Sequence, residues 1–220
     1  METADVLQHN YHELSDIDRA VYRAQVRPTW DERRRFFFEG DPNLIGQMYA
    51  AERRALFDAV VRRKPRKCFE IGTWIGGGST FFIASAFNQL GAGELITVEA
   101  DPMWHEIGAT YYRECLPELS AHVRFLLGRD VGILERHIDA SVGVECFFLD
   151  GSDIPEQALR QFKFFEGYAR PGTIMMAHDW NDKKQLMLRP AVEADARWRP
   201  LVVLGPPESV GFVVYEFQPG

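Results

Sequence analysis

The stretch Lys67-Cys-Phe-Glu-Ile-Gly-Thr-Trp-Ile-Gly-Gly-Gly-Ser79 decides the fold of this chain. It begins as a short apolar run that contains Glu70, and it then breaks into glycine. The segment that follows, 80–87, is compatible with a helix and contains no breaker. A strand, a glycine turn and a helix in this order form the nucleotide-binding corner of a doubly wound α/β sheet. The spacing Gly72-x-x-x-Gly76 differs from the Gly-x-Gly-x-x-Gly of dinucleotide-binding turns, so the sequence does not predict a turn that binds pyrophosphate.

A carboxylate at the end of the next predicted strand agrees with a nucleoside ligand. The strand covers 95–98, and Glu99 closes it, 27 residues after Gly72. A carboxylate in this place can accept hydrogen bonds from both ribose hydroxyls. The plain alternative is a glycine-rich turn between any strand and helix, and the distance to Glu99 argues against it.

These residues resemble a known family. The segment 69–79, followed by Val98-Glu-Ala-Asp101, resembles the first two motifs of the class I S-adenosylmethionine-dependent methyltransferases. Within that family it is most similar to small-molecule O-methyltransferases of the catechol and macrolide-sugar type. The resemblance implies S-adenosylmethionine as cofactor and the following cofactor-binding residues: Glu70, Gly72, Thr73, Trp74, Gly76, Gly77, Gly78, Ser79, Glu99 and Asp130.

Two of these acids have roles that only the resemblance implies. Glu70 would help to hold the methionine end of the cofactor, and Asp130 would accept a hydrogen bond from the adenine amino group. The alternatives are a buried carboxylate satisfied by the amides of the turn for Glu70, and an N-cap of the following helix for Asp130.

The predicted elements alternate between strand and helix until the last two strands, which form a hairpin. Asp41-Pro42 is predicted to start a helix that ends at Pro65, and Asp101-Pro102 to start another. A final helix is predicted around 186–196. Strands are predicted over 67–71, 95–99, 122–127, 144–149, 173–177, 200–204 and 210–217. The expected fold is therefore a doubly wound, Rossmann-like α/β domain with a mostly parallel seven-stranded sheet and an antiparallel C-terminal hairpin strand. We assign residues 1–40 to an N-terminal helical extension (a lid, a dimer contact or a segment packed on the domain) and 41–220 to the methyltransferase domain.

Composition excludes several classes of protein. The chain has 220 residues and a net charge of −7, which argues against a nucleic-acid partner despite the basic run 62–67. No apolar run is long enough for a membrane span, and no signal peptide is visible. Cys68, Cys115 and Cys146 lack metal-binding spacing and are expected to be reduced, so the predicted location is the cytoplasm.

Polar residues that follow the fourth and fifth predicted strands are candidates for the acceptor site. Asp150 follows the fourth strand, and His178-Asp179 follow the fifth. In metal-dependent members of the resembled family, residues in these places hold a divalent cation against the acceptor oxygen. The resemblance therefore implies Asp150, His178 and Asp179 as ligands of Mg²⁺ or Mn²⁺, although His178 stands where the family more often has an acid. Adjacent strand residues point to opposite faces, so 178 and 179 converge only if the strand has already ended.

Methyl transfer from S-adenosylmethionine to a hydroxyl of a small molecule (a phenol, polyketide or sugar), assisted by a divalent metal, is the expected function. His178 and Asp150 are the expected catalytic residues. In the alternative without metal, His178 is the general base; the lysine that catechol-type enzymes carry three residues after the first Asp is Asp153 here. Two further alternatives are a nicotinamide oxidoreductase, disfavoured by Trp74 at the central glycine position, and a non-catalytic cofactor-binding module. A homodimer is a further expectation.

Overall fold

The computed structural model describes residues 44–45, 48–129, 131–207 and 209–220. The predicted extension 1–40 and Asp130 lie outside these residues. The strands are β1 (Leu44–Ile45), β2 (Met48–Tyr49), β3 (Lys67–Ile71), β4 (Glu94–Glu99), β5 (Val123–Leu127), β6 (Val144–Leu149), β7 (Ala169–His178), β8 (Trp198–Leu204) and β9 (Phe212–Phe217). The α-helices are α1 (Ala50–Arg63), α2 (Ser79–Leu90), α3 (Pro102–Cys115), α4 (Pro117–Ser120), α5 (Pro155–Glu166) and α6 (Leu188–Glu193). Short 3₁₀ helices cover Val131–His137 and Lys183–Gln185.

Seven strands form one sheet in the order β5-β4-β3-β6-β7-β9-β8. The pairs β4–β5, β3–β4, β3–β6 and β6–β7 are parallel, whereas β9 is antiparallel to both β7 and β8. This confirms the expected doubly wound fold with an antiparallel C-terminal hairpin. The chain moves from β3 toward one edge and from β6 toward the other, so the topological switch point, where such sheets bind ligands, lies between β3 and β6.

Helices cover both faces of the sheet. On one face α1, α2 and α3 bury apolar side chains such as Leu56, Phe82 and Tyr112. On the other face α5 and α6 bury side chains such as Phe162 and Val192. Burial of apolar surface on both faces explains why the central strands are apolar over nearly their whole length. No helix in the described part of the chain is long and apolar enough to cross a membrane.

Most predicted ends lie within two residues of the observed ones, and three elements differ more. Helix α1 begins at Ala50, because Leu44–Ile45 and Met48–Tyr49 pair as a short hairpin in front of it. Strand β7 already begins at Ala169, which pairs with Val144, and a register shift before Cys146 accommodates the Arg-Pro-Gly segment that was expected to precede the strand. Helix α6 is shorter than the predicted 186–196. The first boundary is set by a local hairpin, and the second by pairing of β7 with the distant strand β6, which local sequence does not report.

The register of the central strands aligns the predicted site residues. Ile71 pairs with Leu149, and Leu149 pairs with Ala177, so that Gly72, Asp150 and His178 follow at the same level of the sheet. Gly72 has φ +98°, and a Cβ added to it would lie 2.6 Å from the backbone oxygen of Asp150. Only glycine therefore permits β3 and β6 to remain in contact beyond their last paired residues.

We expect Gly72→Ala to destabilise the fold and Gly77→Ala to leave it nearly unchanged. In Gly72→Ala the alanine would have to adopt a strained positive φ, and its Cβ would collide with the backbone of Asp150. The substitution should lower the free energy of unfolding by about 2 kcal/mol or more. Gly77 has no atom within 4 Å of the position of an added Cβ, which makes it the matched control in the same turn. Urea unfolding of both variants measures the difference, and equal stabilities would contradict this role of Gly72.

Candidate active site

A cavity of about 400 Å³ opens at the carboxyl ends of the central strands. Its wall combines the ends of β3 and β4, the segments after β5 and β6, and the first turns of α5. The lining residues are Ile71, Gly72, Val98, Glu99, Ala100, Gly128, Arg129, Val131, Gly151, Ile154, Gln157, Arg160 and Gln161. This volume falls in the range of small-molecule and cofactor sites, and the location is the switch point of the sheet.

Glu99 fastens the glycine turn to the edge of this cavity. Its Oε2 accepts a hydrogen bond from the backbone N–H of Trp74 at 2.6 Å, and its Oε1 accepts one from the N–H of Asp101 at 2.9 Å. Asp101 in turn caps α3, as predicted, by accepting from the N–H of Met103. Each carboxylate oxygen has a second lone pair, so the half-buried Glu99 can still accept hydrogen bonds from a ligand.

Of the predicted cofactor-binding residues that the structure describes, only Gly72 and Glu99 line the cavity. The rest of the turn folds back on the protein. The N–H of Gly76 donates to the carbonyl of Thr73, and the Tyr112 hydroxyl donates to the carbonyl of Gly76 at 2.7 Å. Trp74 is half-buried against Trp104, with ring centroids 6.3 Å apart. The cofactor contacts predicted for Thr73, Trp74, Gly76, Gly77, Gly78 and Ser79 stay predictions.

Glu70 is fully buried behind the turn. Its Oε2 accepts hydrogen bonds from the hydroxyls of Thr80 and Thr97, both at 2.6 Å, and the Thr73 hydroxyl bonds to that of Thr97. Its Oε1 accepts no hydrogen bond of good geometry among the described residues, although the Ser79 hydroxyl acts on this carboxyl and lowers its pKa. Burial raises the pKa of Glu70 to about 7, and the hydroxyl hydrogen bonds offset this only in part. In this arrangement Glu70 joins β3, β4 and α2, and its predicted contact with the cofactor stays a prediction.

His178 and Asp179 converge with Asp150 at the ends of β6 and β7. The strand ends at His178, and Asp179 turns away with φ +53°. Because the strand has ended before Asp179, the side chains of His178 and Asp179 can both face one site. His178 Nδ1 lies 3.3 Å from Asp150 Oδ2 and 3.4 Å from Asp179 Oδ1, and one ligand atom from each residue falls within 4.8 Å of the others.

Glu52 of α1 completes the environment of His178, and nothing in the local sequence indicated it. Its Oε2 lies 3.0 Å from His178 Nε2, and neither side chain has much exposed surface. Carboxylates therefore face both ring nitrogens, and only the doubly protonated imidazolium can donate to both. Burial opposes the charge, but the hydrogen bonds to Asp150 and Glu52 raise the pKa of His178 to about 10. This arrangement argues against the predicted alternative in which His178 alone is the general base.

Lys184 is the second residue that the sequence did not indicate. Its Nζ lies 2.5 Å from Asp150 Oδ1 and 2.7 Å from Asp179 Oδ2, and only 6% of its side chain is exposed. Burial alone would lower the pKa of Lys184, but the two carboxylates raise it well above its usual value. Burial would likewise raise the pKa of Asp150, and His178 and Lys184 together hold it below its usual value.

These contacts bear on the predicted divalent metal. Asp150, His178 and Asp179 are a suitable donor set by residue type. As arranged, however, the Lys184 ammonium contacts one oxygen of each carboxylate, and both nitrogens of the imidazole are hydrogen-bonded to acids. A metal ion does not fit this arrangement, and the predicted metal stays a prediction.

A family model described as a methyltransferase domain matches residues 69–180, about half of the chain. The chain belongs to this methyltransferase-domain family. The match spans the glycine turn, Glu99, Asp150 and His178-Asp179, and it confirms the class I methyltransferase resemblance found in the sequence. No curated protein sequence matches the chain.

Solved structures of methyltransferases share its fold. One is the O-methyltransferase TomG from Streptomyces achromogenes, involved in tomaymycin synthesis, in complex with SAM. Its TM-score is 0.64 at 18% sequence identity, and the match covers 94% of this chain and 91% of TomG. Another is the O-methyltransferase from Bacillus cereus in complex with SAH, with TM-score 0.63, 17% identity, and coverage of 93% and 92%. A third is SAH-bound PaMTH1 from Podospora anserina, with TM-score 0.64, 14% identity, and coverage of 99% and 96%.

Stability should depend on pH through Glu70. The folded chain keeps the Glu70 proton up to about pH 7, whereas the unfolded chain loses it near pH 4.5. The stabilising effect of the neutral carboxyl is therefore present below pH 4.5 and is lost as the pH rises through 7. Between these limits we expect Glu70→Gln to gain roughly 3 kcal/mol in unfolding free energy relative to the wild type. Urea unfolding from about pH 4.5 to 8 tests this, with exposed Glu118→Gln as control, and a constant difference would contradict it.

Glu52→Gln should destabilise the fold. The Glu52 carboxylate accepts four hydrogen bonds, from His178 Nε2, the N–H of Tyr49, the Ser209 hydroxyl and the N–H of Val210. An amide nitrogen cannot accept, so the variant leaves donors unpaired at a fully buried position. We expect a loss of about 2–4 kcal/mol in unfolding free energy, measured by urea unfolding at neutral pH. A loss below about 0.5 kcal/mol, the size expected of an ordinary surface change, would show that these bonds matter little.

Proposed function

We propose that this methyltransferase transfers a methyl group from S-adenosylmethionine to a hydroxyl group of a small molecule. The observation that carries the proposal is the position of the polar cluster at Asp150 and His178, directly beside a cofactor-sized cavity at the switch point. Gly151, next to Asp150, lines that cavity. The complexes of TomG with SAM and of the Bacillus cereus enzyme with SAH support the choice of cofactor.

In this proposal the cavity holds the nucleoside. Glu99 accepts hydrogen bonds from the ribose hydroxyls with the lone pairs that Trp74 and Asp101 leave available. The base lies toward the segment after β5 and the first turns of α5, which carry Gln157 and Gln161 as polar partners. The glycine turn leads from the ribose toward the start of α2, where backbone N–H groups suit the carboxylate of the methionine end.

The acceptor hydroxyl lies near the half-exposed carboxylates of Asp150 and Asp179. In the transfer the methyl–sulfur bond breaks as the methyl–oxygen bond forms, and the hydroxyl gives up its proton to the carboxylate of Asp150 or Asp179, from which it passes to solvent. The sulfonium already activates the methyl group, so alignment of donor and acceptor supplies much of the rate. Asp150 and Asp179 accept the hydrogen bond of the hydroxyl, and the cations of His178 and Lys184 stabilise negative charge that develops on the oxygen.

Exposed apolar side chains favour an acceptor with an apolar body. Leu186 and Met187 lie on the segment after β7. That segment leaves the sheet at the end where the cluster is found. These side chains support a phenol or polyketide more than a bare sugar as the methyl acceptor.

Incubation of the protein with S-adenosylmethionine and a library of hydroxylated natural products tests the proposal. We expect formation of the demethylated cofactor together with a product heavier by one methylene unit, both read by mass spectrometry. Thermal melts provide an independent measurement, because a ligand that binds the folded state raises the midpoint. If NAD raises the midpoint and S-adenosylmethionine does not, the proposal is wrong.

Glu99→Gln should weaken cofactor binding. The substitution removes the charge that strengthens the hydrogen bonds to the ribose, at nearly constant shape. We expect the dissociation constant of S-adenosylmethionine to rise by about ten- to a hundredfold. Isothermal titration calorimetry measures the constant, and exposed Glu118→Gln should match the wild type. Unchanged affinity of Glu99→Gln would remove Glu99 from the cofactor site.

A further inference from the structure

The ammonium group of Lys184 lies between the two carboxylates that a metal would bridge. It contacts one oxygen of Asp150 and one of Asp179, at 2.5 and 2.7 Å. Oxygen ligands of Mg²⁺ lie at about 2.0–2.1 Å, so an ion bound to the same two oxygens would overlap with this nitrogen. One site cannot hold both cations.

The loop after β7 holds Lys184 in this position through its own hydrogen bonds. The N–H of Asp182 donates to the carbonyl of Asp179 at 2.8 Å, and Asp182 Oδ1 accepts from the N–H of Lys184 at 3.1 Å. Gln185 Nε2 donates to the carbonyl of His178 at 2.9 Å. The lysine therefore belongs to a tight turn anchored on both sides of its backbone.

Lys184 also supplies positive charge where a metal ion would. Its ammonium contacts both Asp150 and Asp179, the two carboxylates of the predicted metal site. A divalent ion brought to the same two oxygens would be repelled by this charge as well as blocked by the nitrogen.

We infer that Lys184 takes the place of the divalent cation in the acceptor site, so that methyl transfer by this protein requires no metal. The inference rests on the proposed function for the reaction itself. Lys184 is a positioning residue: it bridges the oxygens of Asp150 and Asp179, which would otherwise repel each other, and supplies positive charge beside the acceptor hydroxyl.

Titration of the full-length, chelator-treated protein with Mn²⁺, followed by electron paramagnetic resonance, tests the inference without any activity assay. The wild type should leave the signal of the free ion unchanged, both alone and with the demethylated cofactor. Lys184→Met removes the competing ammonium, and should bind Mn²⁺ at least about tenfold more tightly than the wild type. Lys183→Met, an exposed neighbour with the same change in charge, should behave as the wild type.

Activity provides the second measurement. Methyl transfer by the wild type should be unaffected by chelator, whereas Lys184→Met should lose most of its activity and regain part of it on addition of Mn²⁺. A merely structural lysine would not give recovery by a metal ion.

Stoichiometric Mn²⁺ binding by the wild type, or loss of its activity in chelator, would overturn the inference. A folded Lys184→Met that binds Mn²⁺ no better than the wild type would overturn it too, and if that variant does not fold, the wild-type measurements decide. Failure to bind S-adenosylmethionine in calorimetry refutes the proposed function instead, and the Mn²⁺ titration, which needs no cofactor, still decides on Lys184.

Discussion

The buried contact between Glu52 and His178 is the interaction on which the site depends. A fully buried carboxylate is costly unless it is paired and hydrogen-bonded, and Glu52 is both. Its four donors come from the start of α1, the end of β7 and the segment between β8 and β9. One side chain thereby fixes a helix, a central strand and the C-terminal hairpin relative to each other. The imidazole held by it then determines where Asp150 and Asp179 can lie.

A second constraint brings the two halves of the site together. The central strands are parallel and in register, so their first residues beyond the sheet share one edge. Gly72 allows the backbone after β6 to pass close to the end of β3, and this places the glycine turn directly beside the cluster of Asp150, His178 and Asp179. The cluster of Asp150, His178 and Asp179 therefore lies beside the cavity because the backbones of β3 and β6 can approach closely at Gly72, and not because of contacts between side chains.

The sequence was sufficient for the parts of the site that a local pattern encodes. The glycine turn, Glu99, the Asp101 cap and the alternation of strands and helices lie within short windows, and the structure has each of them. Glu52 and Lys184 could not be predicted in this way. Glu52 lies 126 residues from His178 and 157 from Ser209, and its helix reads as an ordinary amphipathic cover of the sheet. In the sequence Lys184 is one of two adjacent lysines and resembles a surface residue. Its buried position depends on the conformation of the turn after β7, which brings its ammonium to Asp150 and Asp179.

The nature of the cation has a consequence for the acceptor. A divalent ion concentrates its charge at about 2 Å from a coordinated oxygen and acts as a Lewis acid. Lys184 and His178 carry the same total charge, but it is spread over two groups that already donate to Asp150, Glu52 and Asp179. Less of this positive charge is therefore available to stabilise a developing oxyanion. A hydroxyl that ionises easily, such as a phenol with a pKa of about 10, needs less of that help than an aliphatic alcohol. In the proposed reaction, the electrostatics of the cluster and the exposed Leu186 and Met187 on the segment after β7 thus favour the same class of acceptor, an aromatic hydroxyl on an apolar body.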